Sequence, residues 1–242
     1  MSMGPIVVAH EGAIFDVRLS DPDGGNLISN AAGDAFVDVL RALPGDVRLV
    51  RIRSTGSTFC TGRVSPMPAP GSKVSGATLK AVVAEPPLRV YEALRNVPVP
   101  VLAVVEGAAH GYGCALVVAC DIALASDAAT FRVPEMERGI PPLLVMTSML
   151  GRVPHKTIAH LALSRDEIDA RAALGAGIVS AVVSAAAIDA EVERLSNAIA
   201  DAPPDALRAI KDYLRVAPGA TFAAAAALAA NLTGTALANR FA

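Results

Sequence analysis

From Pro98 to Ser126 the chain reads PVPVLAVVEGAAHGYGCALVVACDIALAS, and its acidic residues there are Glu106 and Asp121 alone. The spacing predicts an apolar strand from Val99 to Val105, a glycine-bounded turn from Gly107 to Gly113, a helix without charge from Cys114 to Cys120, and a short strand from Ile122 to Ala125. A helix with no polar face has to be covered on all sides, so this segment belongs at the centre of a layered α/β fold. A helix that opens straight out of a turn also presents free N–H groups and a partial positive charge to any oxyanion in front of it. Glu135 follows in RVPE as a candidate base.

With 242 residues, an apolar fraction of 53% and a mean hydropathy of +0.47, the chain has material for one sizeable core. A net charge of −2, scattered along the sequence, gives no polyanion-binding face, so no nucleic-acid partner is expected. The odd set Cys60, Cys114 and Cys120 lacks metal-ligand spacing and makes a disulfide framework improbable, which suits a reduced cytoplasm and implies no metal. The N-terminal MSMGPIVVAHEG has neither a basic lead nor a long apolar run. No charge-free stretch is taken to approach the roughly 20 residues of a membrane span, so no membrane is expected as a partner. Few aromatic residues and no tryptophan disfavour recognition by stacking.

Along the chain, Ile6 to His10 and Ala13 to Leu19 read as a hairpin, Asp21 to Asn26 as a loop, Ala31 to Leu43 as a helix and Val47 to Ile52 as a strand. STGSTFCTGR reads as a loop of small residues, and Ser65 to Gly76 as irregular and suited to face a ligand. Leu88 to Leu94 reads as a helix. Beyond Pro142 the pattern is mostly helical: 143–150, 155–163, 166–174, 188–200, 205–214 and 221–237, with Ile178 to Val183 β-like. The alanine-rich Phe222 to Ala230 suits a subunit contact or reflects helix propensity alone.

The pair VRLVRIRSTGSTFCTGR and PVPVLAVVEGAAHGYGCALVVACDIALASDAATFRVPEMERGIPP resembles the crotonase, or enoyl-CoA hydratase/isomerase, superfamily. RLSDPDGGNLIS is similar to its N-terminal strand and asparagine-containing turn. The resemblance runs from about Val7 to about Val216, and LSRDEIDARAALGAGIVSAVV looks like the family's helix, glycine turn and strand. It implies an α/β fold: a crotonase-like spiral of ββα repeats over 1–185, with a C-terminal helical oligomerisation region over 186–242 in the same fold unit. It further implies homotrimers or dimers of trimers that act on acyl-CoA thioesters, with coenzyme A as part of the substrate and no resident cofactor.

The family's shared step holds a thioester enolate with two backbone N–H groups. Matched by position, these fall on Arg63, directly after Gly62, and on Tyr112, between Gly111 and Gly113. Cys60, Thr61, Gly62 and Gly111 are the matching substrate-binding positions, the carbonyls around Cys60 and Thr61 falling where adenine is met. Arg63 and Tyr112 are unusual, since small residues are general at both places. The tyrosine ring must turn from the thioester or narrow the pocket. A side chain at Arg63 that lines the tunnel would suit a phosphate or the pantetheine region. The alternative makes Arg63 a solvated loop charge and Tyr112 a core residue, with both amides bonded internally.

Hydratases of the family divide their work between two glutamates; here the first falls on Ala115 and the second on Glu135. A 3-enoyl to 2-enoyl shift needs one base only, and the Gly139, Ile140, Pro142 pattern also looks similar to the isomerases. The resemblance therefore implies an isomerase-type enzyme with Glu135 as catalytic base. A hydratase with a displaced second acid and a non-catalytic acyl-CoA-binding protein remain as alternatives, as does a structural, ion-paired Glu135. His110, Glu85 and Glu106 are the groups that would replace a missing acid. His155 and His160 lie off metal-ligand spacing, and Cys114 reads as a buried, inert thiol.

Overall fold

The computed structural model describes residues 2–69 and 71–241. Strand β1 (Ser2–Met3) pairs with β2 (Ile6–Glu11), which turns through Gly12 and Ala13 into β3 (Ile14–Leu19). Helix α1 (Asn30–Arg41) starts where the Ser29 side chain accepts the Ala32 N–H, at 3.1 Å. Then come β4 (Leu49–Ser54), β5 (Thr58–Cys60), α2 (Gly76–Leu79), a π-helical turn (Lys80–Ala84) and α3 (Glu85–Asn96). Pro86 and Pro87 sit in the first turn of α3, where a missing N–H costs no helical bond. β6 (Val101–Val105), β7 (Ala108–His110), α4 (Tyr112–Ala119), β8 (Ile122–Ser126) and β9 (Thr130–Arg132) follow. After a 3-10 turn (Glu135–Arg138) the chain forms α5 (Leu143–Met149), α6 (His155–Ser164), β10 (Ile168–Asp169), α7 (Ala170–Gly175), β11 (Ala181–Val183), α8 (Ile188–Ala200), α9 (Pro204–Val216) and α10 (Phe222–Phe241).

Two sheets organise these elements. The larger runs β1-β2-β3-β4-β6-β8-β11 and is parallel from β3 onward; the smaller runs β10-β9-β7-β5, with β5, β7 and β9 parallel. The pairs β4/β5, β6/β7 and β8/β9 each give one strand to each sheet, and α3 and α4 close the first two turns. The expected spiral of ββα units is thus present. Every residue of β6 and α4 is buried, which is the burial that their lack of charge demands. One face of the larger sheet packs into the main core, while Leu49, Leu102, Val104 and Leu124 on the other meet Ile188 and Val192 of α8.

The loop before α1 is held to β5 by Asn26, which is fully buried. Its carbonyl oxygen accepts the Asp21 N–H (2.8 Å), and its amide donates to the Thr55 and Thr58 carbonyls (3.2 and 2.7 Å). Farther on, Lys211 of α9 reaches Asp121 at the end of α4 (2.5 Å) and the Leu94 carbonyl (3.0 Å), with side-chain exposures of 3% and 10% for the pair.

Several expectations need correction. STGSTFCTGR is not all loop, because it contains β5, and the turn from Gly107 to Gly113 contains β7. β9 was not anticipated, and the helix expected over 166–174 gives its first part to β10. These strands are two or three residues long and carry too little alternation to stand out. The length argument against a membrane span also falls: residues 216–239 carry no charge, and the 18-residue window Phe222–Asn239 of α10 has a mean hydropathy of 1.2 with almost none of it buried. Only in length and composition does α10 qualify; its apolar character comes largely from alanine.

Replacing Lys211 by methionine leaves the Asp121 carboxylate buried without its nearest cation. We expect a loss of about 3–5 kcal/mol in urea unfolding, most of it recovered in the double variant Asp121→Asn/Lys211→Met.

Candidate active site

β5 and β7 are parallel neighbours, with Thr58 opposite Ala108 and Cys60 opposite Ala109. The chain therefore leaves both strands at the same edge, as Thr61-Gly62-Arg63 and as Gly111-Tyr112. The two exits touch at backbone distance: a Cβ on Gly113 would lie 2.0 Å from the Cys60 carbonyl oxygen. The Arg63 segment is pinned by a bridge to Ile28, whose N–H donates to Gly62 O (3.3 Å) and whose carbonyl accepts the Val64 N–H (3.1 Å). That pattern leaves the Arg63 N–H unused. Tyr112 is the first residue of α4, so its N–H has no partner inside the helix either. Among the described residues neither N–H donates to another protein group.

β9 continues the same edge and delivers Glu135. Its carboxylate lies against the α-carbon of Gly111, where a Cβ would be 2.4 Å from Oε1; Gly111 itself has φ +52°, a conformation that favours glycine. The other oxygen, Oε2, is buried and has no hydrogen-bond partner among the described residues. Burial pushes the Glu135 carboxyl above the ordinary range, opposed in part by its own backbone N–H and by the Arg138 charge.

These groups border one small cavity of about 100 Å³, and Glu135 is its one acidic lining residue among those described. Tyr112 and Tyr91 pack in it with ring centroids 5.6 Å apart. Tyr112 is a core residue, as the alternative reading had it, and also lines the cavity. Burial raises both phenols, so they stay neutral. The Arg63 side chain is a solvated loop charge no more than its amide is internally bonded: it turns inward, and Nη2 donates to the Val83 carbonyl at 3.1 Å. The remaining substrate-binding positions, Thr61, Gly62 and Gly111, line the cavity; Cys60 does not, but its carbonyl abuts Gly113. Tyr91 was missed in the sequence, although Pro87 and Tyr91, four residues apart on a helix, give a common face.

The alternative acids and bases lie outside the cavity. His110 pairs with Glu167 at 2.9 Å, and burial lowers its pKa while Glu167 raises it. Glu85 is half-buried near Lys80 (3.6 Å), and Glu106 pairs with Arg53 at 2.5 Å. His160 faces Asp166 at 3.4 Å. Ala115 is buried in α4. The three cysteines are free and buried, each thiol pushed up to about 12, which makes them poor nucleophiles.

A model of the enoyl-CoA hydratase/isomerase family matches residues 9–238. The chain belongs to that family. Membership extends past Val216, into α10, beyond the residues that carried the resemblance. Human enoyl-CoA hydratase domain-containing protein 3, mitochondrial, is 31% identical over 190 residues, covering 77% of this chain and 61% of that protein. The chain thus spans less than two thirds of the length of the curated relatives it first matches. The crystal structure of the human protein superposes with a TM-score of 0.85 at 27% identity, covering 98% of this chain and 91% of that one. A putative enoyl-CoA hydratase from Thermobifida fusca, solved in complex with CoA, gives a TM-score of 0.86 at 28% identity, covering 97% and 93%.

Because folding raises the Glu135 pKa, the protonated carboxyl favours the folded state, and that contribution is lost as pH rises through the folded-state value. Glu135→Gln should therefore raise the thermal midpoint at pH 7. The gain should vanish below about pH 4, where the ordinary carboxyl is protonated too; a pH series of melting curves measures it.

Proposed function

We propose that this protein shifts the double bond of an acyl-CoA thioester from the 3-enoyl to the 2-enoyl position. The observation that carries the reading is Glu135: one carboxylate with a buried, unpartnered oxygen, in a cavity whose edge holds two unused backbone N–H groups. The thioester carbonyl accepts from the Arg63 and Tyr112 amides. Glu135 removes a proton from C2, the C2–H electron pair moves toward the carbonyl, and charge develops on oxygen in the dienolate. The same proton returns from Glu135 to C4, where the C3=C4 pair forms the new C4–H bond, while the oxyanion pair re-forms the carbonyl and the former C2–H pair, held between C1 and C2 in the dienolate, becomes the C2=C3 bond. Each donor of such a hole is worth about 3–4 kcal/mol when removed. The raised carboxyl pKa strengthens the base and keeps its conjugate acid ready for the return step.

Ala115 supports one-base chemistry, since no second carboxylate borders the cavity among the described residues. Hydration by a displaced acid is the second reading, favoured by the names of the relatives, which are hydratases. A non-catalytic acyl-CoA binder is the third. In each reading coenzyme A arrives with the substrate, no cofactor is resident, and a homotrimer or dimer of trimers in a reducing compartment such as the cytoplasm is the working form, with the exposed α10 as a contact.

The purified protein is incubated with 3-enoyl- and 2-enoyl-CoA of several chain lengths. Migration of the double bond is expected, about 10²–10⁴-fold slower in Glu135→Gln, with kcat/KM rising as pH passes upward through the Glu135 pKa. Hydration outpacing migration overturns the isomerase reading in favour of hydratase. Tight acyl-CoA binding without turnover, unchanged in Glu135→Gln, makes the protein a binder.

A further inference from the structure

Arg63 contributes more to the cavity than its backbone. Its side chain follows the chain inward, and Nη2 is anchored on the Val83 carbonyl at the end of the π-helical turn before α3. Nη1 is buried and has no hydrogen-bond partner among the described residues. No carboxylate forms an ion pair with this guanidinium among those residues; Glu135, in the same cavity, is not within ion-pair distance. Its charged neighbours in the electrostatic sense are the Tyr91 and Tyr112 phenols, which are neutral at pH 7. A guanidinium held this way is desolvated without a counter-charge, which is unfavourable in an interior.

Three other interior cations among the described residues have a carboxylate partner, whereas Arg95 and Arg48 rest on main-chain carbonyls. Lys211 has Asp121, Arg51 has Asp16, and Arg53 has Glu106. Arg63 differs from both groups: it borders the cavity and keeps a buried Nη1 with neither a carboxylate nor a carbonyl beside it.

We propose that Arg63 is a specificity residue that binds a carboxylate carried by the acyl chain, so that the preferred substrates are thioesters of short dicarboxylic acids. The inference rests on the acyl-CoA reading above and adds to it the chemistry of the acyl end. A carboxylate is favoured over a phosphate of coenzyme A because Nη1 lies inside, beside two tyrosine rings, in about 100 Å³. Sites for drug-sized ligands run to about 300–1,000 Å³, so a nucleotide does not fit there, whereas the end of a short chain does. The planar fork of arginine also matches a carboxylate, and the Val83 bond fixes the fork before the ligand arrives.

The test measures binding by calorimetry for two saturated thioesters of equal length, hexanoyl-CoA and its ω-carboxylate counterpart adipyl-CoA, with succinyl- and glutaryl-CoA to vary reach. The wild-type protein should bind its best ω-carboxylate thioester at least about 10-fold more tightly than the methyl-ended chain of that length. Arg63→Gln and Arg63→Met should bring that ratio close to one, and Arg63→Lys should keep part of it. A wild-type ratio of one at every length overturns the inference, and so does a ratio that survives in Arg63→Gln with the fold intact by circular dichroism. In both cases binding of hexanoyl-CoA leaves the acyl-CoA reading standing. If the wild-type protein binds none of the thioesters, the acyl-CoA reading itself fails and takes the inference with it. Should both neutral variants fail to fold, the wild-type ratio and Arg63→Lys decide.

Discussion

The contact between the Gly113 α-carbon and the Cys60 carbonyl fixes the site more than any side chain does. A second contact of the same kind lies one strand back, where a Cβ on Gly107 would sit 1.8 Å from the Ser57 carbonyl oxygen. Both join successive turns of the spiral by backbone against backbone, and backbone atoms cannot rotate aside as a side-chain tip can. The separation of β5 from the β7–α4 turn is thereby set by glycine. With it is set the separation of the Arg63 and Tyr112 amides, which any oxyanion between them has to match.

The distribution of satisfied and unsatisfied charge follows a division of labour. Where cations serve the fold, they close helix ends: Lys211 bonds Leu94 O at the end of α3, Arg95 bonds Ser148 O in α5 (2.6 Å), and Arg152 bonds the carbonyls of Val118 (2.6 Å) and Cys120 beyond α4. These carbonyls have no helical N–H to accept, and a positive charge suits that end of the dipole. Three buried side-chain polar atoms lack a partner among the described residues, and two of them, Arg63 Nη1 and Glu135 Oε2, belong to residues lining the Glu135 cavity. The third is Ser54 Oγ, away from the cavity, so the unpartnered atoms concentrate at the cavity without being confined to it.

Much of this was legible in the sequence, for identifiable reasons. β6, α4 and β8 announced themselves because a wholly apolar run has to be central, and α1, α8 and α9 because their apolar residues recur at helical spacing. The glycines around Tyr112 and the carboxylate at Glu135 marked the site. The smaller sheet was not legible: β5, β7 and β9 are three residues each, and their stability comes from parallel neighbours that arrive far apart in the chain. The inward turn of Arg63 was equally hidden, because a loop has no periodicity from which to infer a direction, and the acceptor it finds, Val83 O, is a main-chain atom. For α10 the composition is plain, with no charge between Arg215 and Arg240.

The Lys211–Asp121 pair bears on the order in which the chain can mature. Its members are 90 residues apart, and Asp121 belongs to the strand–helix segment that carries the Tyr112 amide. On a ribosome the first three turns of the spiral emerge well before α9 does. Until then Asp121 has only the Val101 N–H (2.8 Å) and the more distant Arg152 guanidinium (3.9 Å) to hold its charge inside. The segment that carries the Tyr112 amide thus gains its closest counter-charge only when a helix that does not line the cavity has been synthesised.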